Sequence, residues 1–480
     1  MKTPCFIFLL ISLGVSSGVA TAESPIALEG RRELFVDYAV IASMDNVELR
    51  LQEPRREDTA LAFDLPWEGV YSAYPTVLND NGLYRMYYRG LPRGGEGEIA
   101  VTAYAESRDG VTWTKPNLGL YEWAGSTDNN IVFAEKDEFS RNFSPFIDDR
   151  PGVPAEERFK AIAGVETKGL AAFVSADGLN WKSWGPEYIF TEGMFDSHNV
   201  LFWSAAENAY LCYFRTWTGE GFEGYRTISR TTSPDLLNWS EPVAMGFGDT
   251  PMEQIYTNGT QPYFRAPHIY VALAKRFFPE KAAFVSAKAK PMVVSATHGV
   301  SSSDAIFMTS RGGSDYDRTF MEAFVRPGPA DEDWVARDNT PALGLVPAQN
   351  GREMYFYRMS HYGQPTAHLT RYTLRLDGFV AVNAPYAGGE LVTKPITFTG
   401  DTLVINYQSS AAGFVQVELL DGSGEPLPGF EADACDLIFG DEIERVVRWN
   451  GDSDVSRLGG QTVQLRFVMA DADLYSFQFQ

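Results

Sequence analysis

The 480-residue chain carries 63 acidic against 40 basic residues, a net charge of −23. Such a polyanion is repelled by nucleic acid and by anionic membrane surfaces, so neither is expected as a partner. Three cysteines are too few for a disulfide scaffold or a cysteine-rich zinc site.

The chain opens "MKTPCFIFLLISLGVSSGVATAES", in which one lysine precedes an apolar run and small residues lead to Ala22. That layout reads as a secretory signal over residues 1–22, cleaved after Ala22, and predicts a secreted or periplasmic protein. The run is too short to span a bilayer, and no later segment reaches the roughly 20 apolar residues a membrane helix needs. Cys212 and Cys435 remain after cleavage, each inside an apolar strand-like run; two buried thiols are the preferred reading, with a single disulfide as the alternative.

From there the chain reads as all-β. Aromatic content is 14%, with 43 Gly and 27 Pro, which favours strands and turns. "LYRMYYRG" (83–90), "AYLCYFRTW" (209–217), "HIYVALAKRF" (268–277) and "EMYFYRMSH" (353–361) are short aromatic strands. Turn residues precede several of them, as in "NDNG" at 79–82.

A turn motif recurs. "ESRDGVTW" starts its Ser-x-Asp at Ser107, "VSADGLNW" at Ser175 and "TSPDLLNW" at Ser233; Ser310 begins a fourth copy, and Arg375 in "RLDGFV" a degenerate fifth. Copies about 55–80 residues apart are too long for solenoid turns and suit four-stranded propeller blades. The Asp accepts backbone N–H groups in its own turn, Gly permits positive φ and Trp packs between blades, so these aspartates read as structural. After about Leu391 the pattern changes to alternating strands joined by polar turns. The expected organisation is a five-bladed β-propeller over residues 23–388 and a C-terminal β-sandwich over 389–480.

Five blades followed by a sandwich resemble the propeller glycosidases, above all glycoside hydrolase family 32, with families 43 and 117 sharing the propeller. The segments "PYFRAPH", "FMTSR", "AFVRPG" and "DADLYSFQF" are similar to those of uncharacterised exported family-32-like proteins of planctomycete-type bacteria. The resemblance implies a glycoside hydrolase acting on a carbohydrate at the axial pocket. The family's acidic triad is absent, however. "NDNG" falls at a hairpin turn, "RNFSP" has Asn142 where the family has Asp, and no Glu stands beside Cys212. Fructan hydrolysis therefore does not carry over.

Position, rather than motif, selects candidates: ligands of propellers meet the starts of the inner strands and the loops before them. Cleaving a glycosidic bond needs one acid and one carboxylate base or nucleophile. Glu68, Asp196 and Glu253 are the expected acids, with His198 as proton relay. Trp67, Tyr71, Arg141, Asn142, Asn199, Asn258, His268, Asp304 and Glu322 are expected to contact substrate. Arg141, Arg215 and Arg326 suit a carboxylate or sulfate on an acidic sugar. No cofactor is expected; calcium is compatible with a carboxylate-rich mouth, but no ligand loop is legible. His298 is expected in a loop. The alternatives are a non-catalytic glycan-binding or surface-assembly protein, or a uronate lyase using Tyr71 or His198 beside Arg141.

Overall fold

A computed structural model describes residues 24–92, 99–135, 137–166, 168–283, 292–293, 301–335 and 337–480. The expected signal segment and His298 lie outside the described residues.

Five small antiparallel sheets form a five-bladed propeller. Blade one is built of Ala73–Asp80, Leu83–Gly90, Val101–Ser107 and Ile131–Phe133. Blade two runs Ser144–Ile147, Phe159–Val165, Gly169–Ser175 and Lys182–Trp184, and blade three Val200–Ser204, Ala209–Trp217, Arg226–Ser233 and Val243–Ala244. In blade four the inner strand is broken into Ile255–Thr257 and Thr260–Tyr263, both paired with Ala266–Phe278, which also pairs with Ser302–Ser310. Blade five combines Val346–Pro347, Glu353–Ser360 and His368–Arg375 with Arg55–Ala62 from the start of the chain, so an N-terminal strand closes the ring.

The mouth ends of the inner strands are tied together in a circuit. Arg89 of blade one donates to the Arg141 carbonyl before blade two (3.4 Å), and Asn142 there to the Phe195 carbonyl before blade three (2.9 Å). Ser197 donates to the Tyr256 carbonyl of blade four (3.1 Å), and the Leu345 N–H of blade five to Gln261 Oε1 of blade four (3.1 Å). Leu343 of blade five completes it on blade one, donating to the Pro75 carbonyl (2.9 Å) and accepting the Val77 N–H (2.7 Å).

The recurring turn motif has the structural role its chemistry suggests. Asp109, Asp177 and Asp235 each accept two backbone N–H bonds, at 2.7–2.9 Å, from residues two and three positions on. The Ser107, Ser175 and Ser233 hydroxyls accept a further N–H at 2.8–2.9 Å. The tryptophan that follows packs edge-on against the preceding blade: Trp113 on Tyr357 of blade five (5.5 Å) and Trp181 on Tyr87 of blade one (6.2 Å). The tyrosines reciprocate, since Tyr357 and Tyr87 donate to the carbonyls of Gly110 and Gly178.

The C-terminal β-region is an eight-stranded sheet wrapped around its own core, where Ile405, Val415, Val417, Leu465, Phe467 and Phe477 are fully buried. Its order is Asp441–Val446, Leu403–Leu420, Gln464–Phe479, Val380–Ala384 and Glu48–Leu51. Glu33–Leu34 pairs with Gln464–Phe479, and Ile41–Asp45 with Gly389–Thr393. Strand pairing thus divides the chain differently from the expected boundaries: residues 33–51 and 380–384 hydrogen-bond with the C-terminal strands, not with a blade. Asp377, in the degenerate fifth copy of the motif, fastens the two units. Its buried carboxylate meets Arg265 of blade four (3.0 Å), Arg32 (3.5 Å), Tyr263 Oη (2.8 Å), Ser476 Oγ (2.7 Å) and Asn406 (3.0 Å). Cys212 and Cys435 are free thiols, both buried.

Candidate active site at the axial mouth

Blade one enters the mouth through Tyr74, whose φ of 52° is left-handed. A bulky residue in that region costs on the order of 1–3 kcal/mol and persists only where its surroundings impose it. Tyr74 stands beneath the Arg89 guanidinium (4.9 Å) and beside the His198 ring (5.5 Å). Blade four enters through Tyr256, delivered by the break at Gly259. A Cβ on Gly259 would lie 2.4 Å from the Leu273 carbonyl oxygen, and its φ is +61°, so only glycine fits. Around the Tyr256 ring stand Lys275 (4.8 Å), Arg215 (5.4 Å), Arg226 (5.6 Å) and Arg337 (5.9 Å). Tyr362, in the turn between Glu353–Ser360 and His368–Arg375 of blade five, accepts from Arg89 (3.2 Å) and packs on Tyr71 (5.4 Å).

One carboxylate opens to solvent here. Asp196 is 65% exposed, its Oδ2 3.4 Å from the Arg215 guanidinium, which also donates to the Asp196 carbonyl. Asp338 is buried behind the mouth, holding the N–H groups of His361 (2.8 Å) and Tyr362 (3.3 Å); burial raises its pKa. Burial also pushes the Tyr74 phenol well above its ordinary value, with Tyr256 and Asp196 adding to the effect, and raises Tyr362. Both therefore remain hydroxyl donors at neutral pH. Burial, reinforced by Arg337 and Arg226, drives the Lys275 ammonium well below the lysine range, and its Nζ donates to Thr340 Oγ1 (2.9 Å). His198 is buried, and burial alone lowers its pKa to about 3. It is a neutral imidazole paired with the Thr76 hydroxyl (3.0 Å), so a proton relay through it at neutral pH is disfavoured.

The expected acids do not converge. Glu68 is fully buried on the flank of blade one, accepting from Tyr88 Oη (2.5 Å), the Leu65 N–H (3.0 Å) and Lys115 (2.7 Å). Glu253 bridges Arg276 (2.7 Å) and Arg318 (2.6 Å) in blade four, and Asp304 pairs with the same Arg276 (2.7 Å). Neither glutamate shares a partner with Asp196. Both meet the general requirement that a buried charge be paired, which is the physical reason they are unfit as free catalytic acids.

The expected substrate contacts divide in the same way. Trp67 donates to Asn130 (2.7 Å) beside Glu68. Asn142 accepts the Gly164 N–H (2.8 Å), and Asn258 accepts the Thr260 N–H (2.9 Å), so both brace strand entries. Asn199 donates to the Phe195 carbonyl (2.9 Å), while its Oδ1 is buried without a partner. Tyr71 packs at the mouth edge, and the Arg141 carbonyl receives Arg89. His268 bonds Glu33 (2.8 Å) on the side facing the C-terminal region, far in contacts from the axis. Glu322 and Arg326 line an off-axis groove of about 630 Å³ between residues 51–56 and 322–329. Among the described residues, no group of three or more His, Cys, Asp or Glu side chains is arranged to hold a metal ion, and no helix is long and apolar enough to cross a membrane.

Residue reasoning missed Tyr74, Arg89, Arg226, Lys275, Arg337, Asp338 and Tyr362. A signal for part of this set lay in the aromatic strands, because "YYRG", "YFRT" and "LAKR" each place a cation at the mouth end of a blade's second strand, at Arg89, Arg215 and Lys275.

No family model matches the chain. An uncharacterized protein of Mycobacterium tuberculosis strain H37Rv is 33% identical over 118 residues, 24% of this chain and 35% of that protein. A second, from strain CDC 1551, is 44% identical over 63 residues, 12% of this chain and 21% of that protein. The chain thus spans about a third or less of the curated relatives it matches. Solved structures of similar fold include a family 43 arabinoxylan arabinofuranohydrolase from Bacillus subtilis in complex with cellotetraose. It is 12% identical, covers 86% of this chain and 97% of its own, and has a TM-score of 0.40. Another belongs to the family 130 mannoside phosphorylases and hydrolases (16% identity, 72% and 96% coverage, TM-score 0.41). An N-acetylgalactosamine deacetylase from F. plautii is a third (13%, 70% and 96%, TM-score 0.44). Similarity this loose leaves the chemistry to the residues of this chain.

Proposed function

We propose that the protein is an exported carbohydrate-active enzyme, a glycoside hydrolase, that takes its sugar at the axial mouth and uses Asp196 as the reacting carboxylate. The observation that carries this reading is a solvent-open carboxylate, Asp196, beside the Arg215 guanidinium that lies over the Tyr256 ring, with the Tyr74 phenol near enough to feel its charge. Aromatic faces suit the apolar faces of sugar rings, and phenol hydroxyls suit their oxygens. Asp196 serves as base or nucleophile. The phenol of Tyr74 or Tyr362, protonated at neutral pH, gives its proton to the departing oxygen as the glycosidic bond breaks and is reprotonated from the attacking water or the solvent. Export rests on the leader-like sequence before Ala22.

One observation favours a second reading, glycan binding without cleavage: Glu68 and Glu253 are held in structural ion pairs, so neither is free to act as a second carboxylate beside Asp196. Incubating the purified protein with a panel of oligosaccharides and assaying new reducing ends separates the two. Release that disappears in Asp196→Asn, with an unchanged melting temperature, supports the hydrolase. Binding without release on every sugar supports the binding protein.

A further inference from the structure

The axial mouth carries more positive charge than its own carboxylates neutralise, on a chain whose net charge is −23. Arg215 has Asp196 at 3.4 Å. Arg89, Arg226 and Arg337 have no carboxylate within salt-bridge distance among the described residues. Arg89 spends its donors on the Tyr71 and Arg141 carbonyls and the Tyr362 hydroxyl. Arg226 bonds the Gln254 side chain (3.2 Å) and lies over Trp217 at 4.2 Å. Arg337 makes one long bond, 3.4 Å, to Tyr256 Oη.

Crowding like charges in a half-buried site is unfavourable, because each raises the electrostatic energy of the next where water screens them poorly. Arg226 reports that strain. Burial lowers its pKa, and Arg215 and Arg337 press it down further. Unused donors point the same way. The Nε atoms of Arg215 and Arg226 are buried without hydrogen-bond partners, and Arg215 is only 6% exposed. Other arginines of the chain share this feature, but at the mouth the two open donors stand side by side around the Tyr256 ring, where an entering acceptor would offset the cost of leaving them unmade. Arg215, Tyr256, Ser197 and Thr257 adjoin one another between blades three and four, and Thr257 Oγ1 is another buried polar atom lacking a partner.

We propose that this cluster is an anion clasp: Arg215, Arg226 and Arg337 bind the carboxylate or sulfate group of an acidic sugar unit, while Arg89, its donors engaged elsewhere, adds only its charge across the mouth. The assignment rests on the axial mouth being the sugar site. Guanidinium forks match the two-oxygen edge of a carboxylate or sulfate, and a ring of tyrosines takes the sugar that carries it. Asp196, held beside Arg215 rather than alone, keeps its place without repelling the ligand's charge outright.

The test is binding, measured by calorimetry on Asp196→Asn so that turnover plays no part. The probes are a trigalacturonate, a sulfated disaccharide and the carboxyl-reduced trisaccharide. The anionic probe that fits is expected to bind at least about tenfold more tightly than the neutral one at low salt, with the advantage shrinking as salt rises. Which of the two anions prevails identifies the group recognised. Adding Arg226→Gln or Arg337→Gln is expected to weaken that probe about tenfold each and leave the neutral one unchanged, while Arg50→Gln, exposed on another strand, changes nothing. Arg226→Lys, which keeps the charge and loses the fork, is expected to fall between. Equal affinity for charged and neutral sugars, no detectable binding of either anion, or full affinity in both Gln variants overturns the clasp. The hydrolase reading fails separately: anion binding with no reducing ends released by the parent protein sinks hydrolysis and keeps the clasp. Cleavage of neutral sugars alone does the reverse.

Discussion

The Nε2 atom of His198, at the entry of blade three, lies 3.0 Å from the hydroxyl of Thr76 in the inner strand of blade one. Those blades are not neighbours, so the bond spans the axis and floors the mouth. A side chain that bridges non-adjacent blades is more valuable to the ring as an uncharged strut than as a titrating group.

Its titration gives the first prediction. The folded-state pKa is about 3 against an ordinary 6.5, so the unfolded chain binds a proton that the folded chain refuses. The stabilising contribution is complete above pH 6.5 and is lost as pH falls from there towards 3, at up to about 1.4 kcal/mol per pH unit in the middle of that window. Denaturant unfolding at pH 7, 6, 5 and 4 should show His198→Gln losing less stability on acidification than the parent. Parallel curves would sink this account of His198.

Glu253→Gln is expected to damage folding and not chemistry. The carboxylate neutralises Arg276 and the 1% exposed Arg318, and removing one partner of a buried pair costs about 3–5 kcal/mol. Urea unfolding should record that loss, while sugar binding at a temperature where the variant remains folded is unchanged. A variant of full stability and no activity would return Glu253 to the mechanism.

The turn aspartates behave as local fasteners. Asp177 accepts N–H bonds from Leu179 and Asn180, which hold its pKa near 2 against the opposing pull of burial, the largest single influence. Because the folded pKa is depressed, its contribution is present above about pH 4 and disappears as pH falls through 2. Asp177 is exposed, so Asp177→Ala is expected to cost only about 1 kcal/mol in a melting experiment, with binding at the mouth intact.

The blades were legible because their punctuation is local: a Ser, an Asp, a positive-φ residue and a Trp within seven positions, repeated. Asp196 and Arg215, both named from the sequence, lie 3.4 Å apart at the start of blade three. Glu68 and Glu253 misled because sequence neighbours do not reveal Lys115 or Arg318, which come from 47 and 65 residues away to claim their charges. Arg226 and Arg337 were invisible for the same reason, for neither has a local motif, and only ring closure sets them around Tyr256. The pairing of Glu33–Leu34 with Ser476–Phe477 and of Glu48–Leu51 with Val380–Asn383 has no local sequence signal, because the partners stand hundreds of residues apart.

That pairing has a consequence for biosynthesis. Glu33 can find Phe477 only after nearly the entire polypeptide has been made. At ribosomal speeds, the interval is on the order of tens of seconds. Throughout it Phe35, later sealed from water, lacks the Phe467 and Phe477 rings it finally packs against. Nascent chains interrupted late in translation would therefore carry an uncovered aromatic near their leading end.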